Sequence, residues 1–473
     1  MAASARLAVT TVGGHARTLT GSILTRMKQF SLGLLACSFL ALAAAACDSS
    51  SATTTPEGGT ETPDGGGIDS GPACPSTGNG TLAIKVTGLP DGVKAKVTID
   101  GPAGKQEVEA PTTVPIAGGA YSVSGAIATK ADPIVRSVFK ATPVTGTSCV
   151  KDTETTNVDV VYTLVPSSNK LWSTAGNGDA ELVGFSSAKL AATATQTSDV
   201  AIQLDIPGAT AFDREGGLWA VLGSTVAHYP ADVLGTSGEK TADITITVPT
   251  GGVPAISAIA FDSAGNLWVS ALADNKVHRI AAADLRATGT PANLVTISGL
   301  AGPGSLAFDA TGNLWIAEGG GGDVVEFALA RLAASTAAAP DVVLTAQTPA
   351  PVVGPLAAPS GIAFDAAGNM WVDFNDTIAR FTAADRAATA LVTPAVQIAL
   401  DVAALSENLT FDESGGLWFS YSAGNFARLS AEQLAASGTI TPATVISVAT
   451  LGSASQIAIY PAPAALPIFG KVP

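Results

Sequence analysis

The side chains able to do chemistry in this chain are few, and their spacing narrows what that chemistry is. Cysteines stand only at 37, 47, 74 and 149, and histidines only at 15, 228 and 278. So small a supply argues against a His-rich zinc or haem site. His228 and His278 fall in strand-like segments away from any point of convergence. His278 reads as a packed or solvent-facing residue rather than a catalyst. Five aspartates (Asp213, Asp262, Asp309, Asp365, Asp412) each follow a Phe and open an Asp-x-x-Gly turn. Their recurrence marks them as turn formers, because Asp accepts backbone N–H groups inside a tight turn. A functional site should therefore sit where the repeats differ.

The elements that would position such residues are strands. The 473 residues include 50 Gly and 28 Pro, a composition that suits turn-rich β structure better than long helices. Only 13% are charged, and 39 acids against 24 bases give a formal charge of −15. That balance excludes a general nucleic-acid binder, which needs clustered Lys and Arg.

Arg26 and Lys28 precede an apolar run, Phe30 to Ala46, that is short for a span of ~20 residues. It reads as a signal peptide over 27–46. Ala44-Ala45-Ala46-Cys47 resembles the bacterial lipobox, in which cleavage leaves the Cys carrying acyl chains. The alternative is an apolar run retained as a membrane anchor. Several acyl chains hold a protein on a membrane stably. Met27 then reads as the start and residues 1–26 as a non-native extension. The expected location is the bacterial cell envelope, lipid-anchored, at the outer membrane or cell surface rather than the inner membrane. Residues 47–80, rich in Ser, Thr, Gly and Pro, form a flexible tether. With Cys37 removed and Cys47 acylated, Cys74 and Cys149 remain. Two cysteines in an exported chain pair more often than they stand as free thiols.

Residues 81–165 alternate apolar and polar positions in about seven short strands, the pattern of a small immunoglobulin-like sandwich. It resembles sandwich modules common in exported bacterial proteins and reads as a spacer or adhesive module. Residues 166–465 repeat. Phe-Asp-x-x-Gly-[Asn/Gly]-[Leu/Met]-Trp occurs at Phe212, Phe261, Phe308, Phe364 and Phe411, with a degraded sixth copy ending at Trp172. The tryptophan spacings are 47, 49, 47, 56 and 47, the longest holding the insertion Thr345 to Pro359, a partner-binding flap or a tolerated insertion. Four strands per repeat, with one Trp each, predict the blades of a β-propeller. The fold class is all-β: a six-bladed propeller preceded by a small sandwich and a tether, with residues 466–473 as a C-terminal tail. One repeat beyond Phe411 stands Ile459, so the C-terminal strand should complete the Trp172 blade. The strand Val158 to Leu164 competes for that place.

Ile259-Ala-Phe-Asp-Ser-Ala-Gly-Asn-Leu-Trp-Val269 and Gly361-Ile-Ala-Phe-Asp-Ala-Ala-Gly-Asn-Met-Trp-Val372 resemble NHL-type propeller repeats. They also resemble the gluconolactonase (senescence-marker) propellers and the streptogramin lyases. The resemblance covers nearly two-thirds of the chain. It is specific for fold and unspecific for function. It implies that an enzymatic member would hold a divalent cation, calcium or magnesium, at the channel mouth on several oxygen ligands. Glu318, Asp373 and Glu407, from three successive blades, with Asn408, are the best candidates. Asp274, Asn275, Asn375 and Asp376 lie in the same loops. Ordinary solvated loop acids are the favoured reading of this set, and no cofactor is expected. The lactonase-like Glu-Gly-Pro is missing, and no lyase-like histidine can be placed. The expectation is a monomeric binding or scaffold lipoprotein whose propeller face meets a protein, peptide or glycan. The alternative is a metal-dependent lactonase- or lyase-like enzyme.

Overall fold

The computed structural model describes residues 74–175, 181–204, 207–249, 256–348, 356, 358–400, 405–421, 424–448, 454–464 and 466. The signal peptide, Cys47, most of the tether and insertion, and all but the first residue of the tail lie outside them. Among the described residues, no helix is long and apolar enough to cross a membrane.

Nearly all regular structure is β. The N-terminal sheets run Thr112–Ala117, Asn79–Thr87, Thr155–Leu164, Ser137–Ala141, Ala128–Lys130 in one layer. The other layer runs Gly104–Ala110, Ala95–Gly101, Gly119–Gly125, Ser148–Val150. Between them lies a core of Leu82, Ile84, Val97, Ile99, Tyr121, Val123, Val160 and Tyr162. The alternation seen in sequence is what buries one face of each strand. Nine strands replace the expected seven or so, because Gly104–Ala110 carries little apolar alternation and Ala128–Lys130 and Ser148–Val150 are only three residues long. The first strand starts at Asn79, inside the segment assigned to the tether. Cys74 and Cys149 form a disulfide with Cα atoms 5.5 Å apart. Closing a loop of 75 residues stabilises by roughly 4 kcal/mol in the chain-entropy account.

Beyond these, the described residues form six sheets, each with four antiparallel strands that include one tryptophan strand; three of the sheets add a fifth strand in parallel. The Trp268 sheet is typical: Ile256–Phe261, Leu267–Ala271, Lys276–Ile280, Val295–Ser298. The first strands of successive sheets pack on one another, and the strand of the last repeat also packs on Ala454–Tyr460, which packs on Pro207–Phe212. This arrangement is propeller-like. Ala454–Tyr460 pairs antiparallel with Lys170–Ala175, with Ala458 opposite Trp172. Thr155–Leu164 stays in the sandwich, between Asn79–Thr87 and Ser137–Ala141.

Two devices recur. Each repeat Asp closes its turn and holds the tryptophan: Asp262 Oδ1 accepts the Ala264 and Asn266 amides at 3.0 Å, and Oδ2 accepts Trp268 Nε1 at 2.9 Å. Trp172, which lacks the Asp, donates instead to the Ser167 carbonyl at 2.9 Å. Between sheets, tryptophan rings meet the next repeat's phenylalanine, as in Trp268–Phe308 at 5.9 Å and Trp371–Phe411 at 6.2 Å.

Candidate functional site

The six first strands meet around a cavity of about 200 Å³. Its wall is set by register. The residue opposite each tryptophan is Ala458, Ala211, Ala260, Ala307, Ala363 or Thr410. All six line the cavity. Polar groups enter at one side only, where Asn408 Nδ2 donates to Gln456 Oε1 at 2.9 Å and to the Ile457 carbonyl at 3.1 Å. Thr210 stands where the neighbouring strands carry Ile or Leu, and its buried hydroxyl has no partner among the described residues. Ala462 and Leu466, beyond the last strand, close the lining.

Two of the acids singled out from sequence, Glu318 and Asp373, do not converge. Glu318 stands three residues after its tryptophan and Asp373 two, so the pleat sends them to opposite faces of their sheets. Glu318 shares its face with Ile316, which packs with Trp268. Asp373 shares its face with Trp371, which packs with Leu409 and Phe411. Two sheets therefore separate the seams they enter. Nor are they solvated loop acids, as the sequence reading favoured: Glu318 is 8% exposed and Asp373 is 0% exposed. Glu318 Oε1 accepts the Ala301 amide at 2.8 Å. Burial raises its pKa, the Ala301 amide offsets part of this, and Asp323 adds to the rise.

Asp373 is the more unusual group. Neither carboxyl oxygen closes a hydrogen bond of good geometry among the described residues. Burial pushes its pKa up to about 8, and the nearby Ser360 hydroxyl and Asn375 amide offset only part of that. Its face is turned toward the strand Leu405–Phe411, which carries Glu407 and Asn408. The Glu407 side chain lies outside the described residues. Asn408 directs its amide to the C-terminal strand instead. Among the described residues no group of three His, Cys, Asp or Glu is placed to hold a metal ion.

His278 is 5% exposed, with Nδ1 3.0 Å from Thr296 Oγ1 and Nε2 without a partner among the described residues, and burial lowers its pKa. His228 bridges two carboxylates, Nδ1 2.6 Å from Asp243 Oδ1 and Nε2 3.1 Å from Asp213 Oδ2. Burial opposes its charge, but the two hydrogen bonds outweigh burial and raise its pKa.

Sequence reasoning missed a set of hydroxyls at fixed spacing. Thr193, Ser237, Thr288, Ser335, Thr389 and Ser437 each accept an outer-strand amide of the preceding sheet at 3.0–3.1 Å. Each stands three residues after a buried Leu, or after Arg386 in one repeat. The signal was present in the turn sequences but looked like ordinary turn chemistry.

No protein-family profile matches the chain, and no curated protein matches it. Among solved structures it is similar to a catalytically inactive virginiamycin B lyase from Staphylococcus aureus with quinupristin. That pair shares 14% identity over 48% of this chain and 67% of the other, at a TM-score of 0.33. A streptogramin B lyase is 14% identical over 63% of this chain and 87% of that one, at 0.34. A protein of unknown function from Bacteroides caccae is 10% identical over 59% and 97%, at 0.39.

Proposed function

We propose that residues 166–465 form a six-bladed NHL-type propeller behind an immunoglobulin-like sandwich. In this reading the chain is an exported lipoprotein, held to a bacterial envelope membrane through Cys47. Its propeller binds or scaffolds a protein, peptide or glycan and carries out no reaction. The observation that carries this reading is a mostly apolar cavity lining in which Thr210, Asn408, Thr410 and Tyr460 are the polar side chains. Catalysis needs a nucleophile, a base or cation ligands converging on one point, and among the described residues this lining carries no Asp, Glu, His, Cys or Lys. The turn face already meets the sandwich: the Glu413 amide donates to the Ile134 carbonyl at 3.1 Å, and the Glu413 carboxylate pairs with Arg136. The partner would therefore use the opposite face, with the loops Leu272–Asn275, Gly319–Gly322 and Phe374–Asp376.

The alternative, a divalent-metal-dependent lactonase- or lyase-like enzyme, draws support from one feature. The buried Asp373 carboxyl, met among the described residues only by the Ser360 hydroxyl and the Asn375 amide, lies on the face toward the strand that bears Glu407. Thermal unfolding with and without millimolar calcium or magnesium separates the two readings. The binding reading expects an unchanged melting temperature. A rise of several degrees that Glu407→Ala abolishes would transfer support to the enzyme, since a ligand that binds only the folded state stabilises it.

A further inference from the structure

One stretch of the sandwich packs elsewhere. Ile134–Arg136, between the strands Ala128–Lys130 and Ser137–Ala141, enters the seam between the Trp172 and Trp418 sheets. Val135 is fully buried there, in a cluster with Leu171, Phe185, Trp418, Phe426 and Ile459. Its amide donates to Ser187 Oγ at 3.0 Å, and its carbonyl accepts the same hydroxyl at 2.9 Å. This seam is where the C-terminal strand, a member of the Trp172 sheet, packs on the last repeat's Leu405–Phe411. The seam's phenylalanine position is filled by the smaller Ile459, against Phe212, Phe261, Phe308, Phe364 and Phe411 elsewhere. Val135 supplies apolar volume in the one seam that lacks the repeat aromatic, as close packing requires.

Arg136 follows it into a buried ion pair with Glu413, on the turn of the Trp418 sheet, the two side chains being 9% and 14% exposed. Arg136 Nη2 also donates to the Ala462 carbonyl at 2.9 Å, and Glu413 Oε2 accepts the Ala464 amide at 3.4 Å. One charge pair thus joins the sandwich, the last repeat's turn and the chain that follows the closing strand. Ala462 and Leu466, in that chain, line the central cavity.

We infer that Ile134–Arg136 is a clasp that locks the closing strand Ala454–Tyr460, and the segment after it, onto the first repeat. Opening the Arg136–Glu413 pair frees this strand ahead of the other sheets. The sandwich is then part of the closure and not a detachable spacer. A buried pair suits such a role because loss of either partner strands a desolvated charge.

Hydrogen–deuterium exchange on the full chain, disulfide intact, tests this with Arg136→Met. Amides of Ala454–Tyr460, Ala462 and Ala464 should exchange at least roughly tenfold faster than in the parent. Amides of Leu267–Ala271 and Leu314–Glu318 should keep their rates. Unchanged rates in the closing strand, or equal acceleration in every sheet, would overturn the clasp. Should Arg136→Met not fold, Glu413→Gln, which keeps shape and an acceptor oxygen, carries the same comparison.

Discussion

His228 Nε2 lies 3.1 Å from Asp213 Oδ2, in the place that Asn266 Nδ2 takes against Asp262 one repeat later, at 2.8 Å. The exchange is forced by space. A Cβ on Gly217, the position of Asn266 in its own repeat, would stand 2.2 Å from His228 Nε2. The Trp418 sheet makes the same substitution, with Gly416 beside Arg428, whose Nε donates to Asp412 Oδ2 at 2.5 Å. A repeat therefore donates to its turn aspartate either from Asn in the turn or from a basic residue on the third strand.

Compensation follows from that either-or geometry. His228→Ala should destabilise by about 1–3 kcal/mol, because the Asp213 carboxylate loses a charge-assisted donor. Gly217→Asn alone should also destabilise, by the clash. The double variant, which rebuilds the Asn266 arrangement, should recover most of the loss. Urea unfolding of the three proteins measures this, and additive losses in the double variant would refute the equivalence.

The two described histidines should act on stability in opposite senses around neutral pH. His228 has a folded pKa raised above its unfolded value. Its contribution is complete below the unfolded pKa of about 6.5 and disappears as pH rises through the folded value. His278 has a folded pKa lowered, first by burial and then by Lys276. The unfolded chain binds that proton more tightly, so stability falls as pH drops below about 6.5. His278→Gln should flatten the acid limb of a stability–pH curve, and His228→Gln the alkaline limb. Imidazole titration by NMR should place the two pKa values on either side of the ordinary one.

Arg386 stands where the other repeats carry Leu190, Leu234, Leu285, Leu332 and Leu434. Its guanidinium lies 5.2 Å from the Trp315 ring centroid and 5.1 Å from that of Phe364, and Nη2 donates to the Gly368 carbonyl at 2.6 Å. The reason is one strand away. Opposite Trp315 stands Glu326, 8% exposed, where other sheets place His228, Arg279, Arg380 or Arg428. Burial raises the Glu326 pKa, and Arg386 counters it. Arg386→Leu restores the common pattern yet should destabilise by about 2–4 kcal/mol, because Glu326 keeps its burial and loses its cation. Adding Glu326→Gln should return most of that. A double variant as unstable as the single one in urea would show that the two residues are not coupled.

The repeat, its turns and the role of the last strand were legible because each rests on a fixed spacing: Phe to Trp, Asp to Gly, Phe411 to Ile459. What spacing alone did not reveal needed a second count. Glu318 and Asp373 look equivalent as loop acids, but an offset of one residue from the tryptophan reverses the face. The strand pattern also swept Val135 in with Val138, because alternation in sequence does not say which core an apolar residue enters. The six edge hydroxyls were hidden by their setting, since Ser and Thr in a short segment between strands, three of them beside Gly, read as turn residues. Their role becomes visible only when a second sheet supplies the bare strand edge they cover.

Asp373 provides the sharpest test of how a carboxyl buried on the seam toward the Trp418 sheet behaves. A carboxyl whose folded pKa, about 8, lies above its unfolded value of 3.8 binds its proton more tightly when folded. Stability must then fall as pH rises from about 4 toward 8, by at most ~1.4 kcal/mol per pH unit, and level off above. Asp373→Asn has nothing to ionise, so it should match the parent near pH 4 and exceed it increasingly toward pH 8. Chemical denaturation across that range reads the difference directly. If calcium abolishes the parent's decline while leaving Asp373→Asn unaffected, the carboxylate is being held by the cation, and the enzyme alternative gains its first ligand. If the two proteins run parallel at every pH, the carboxyl is already satisfied, and its burial has no functional meaning.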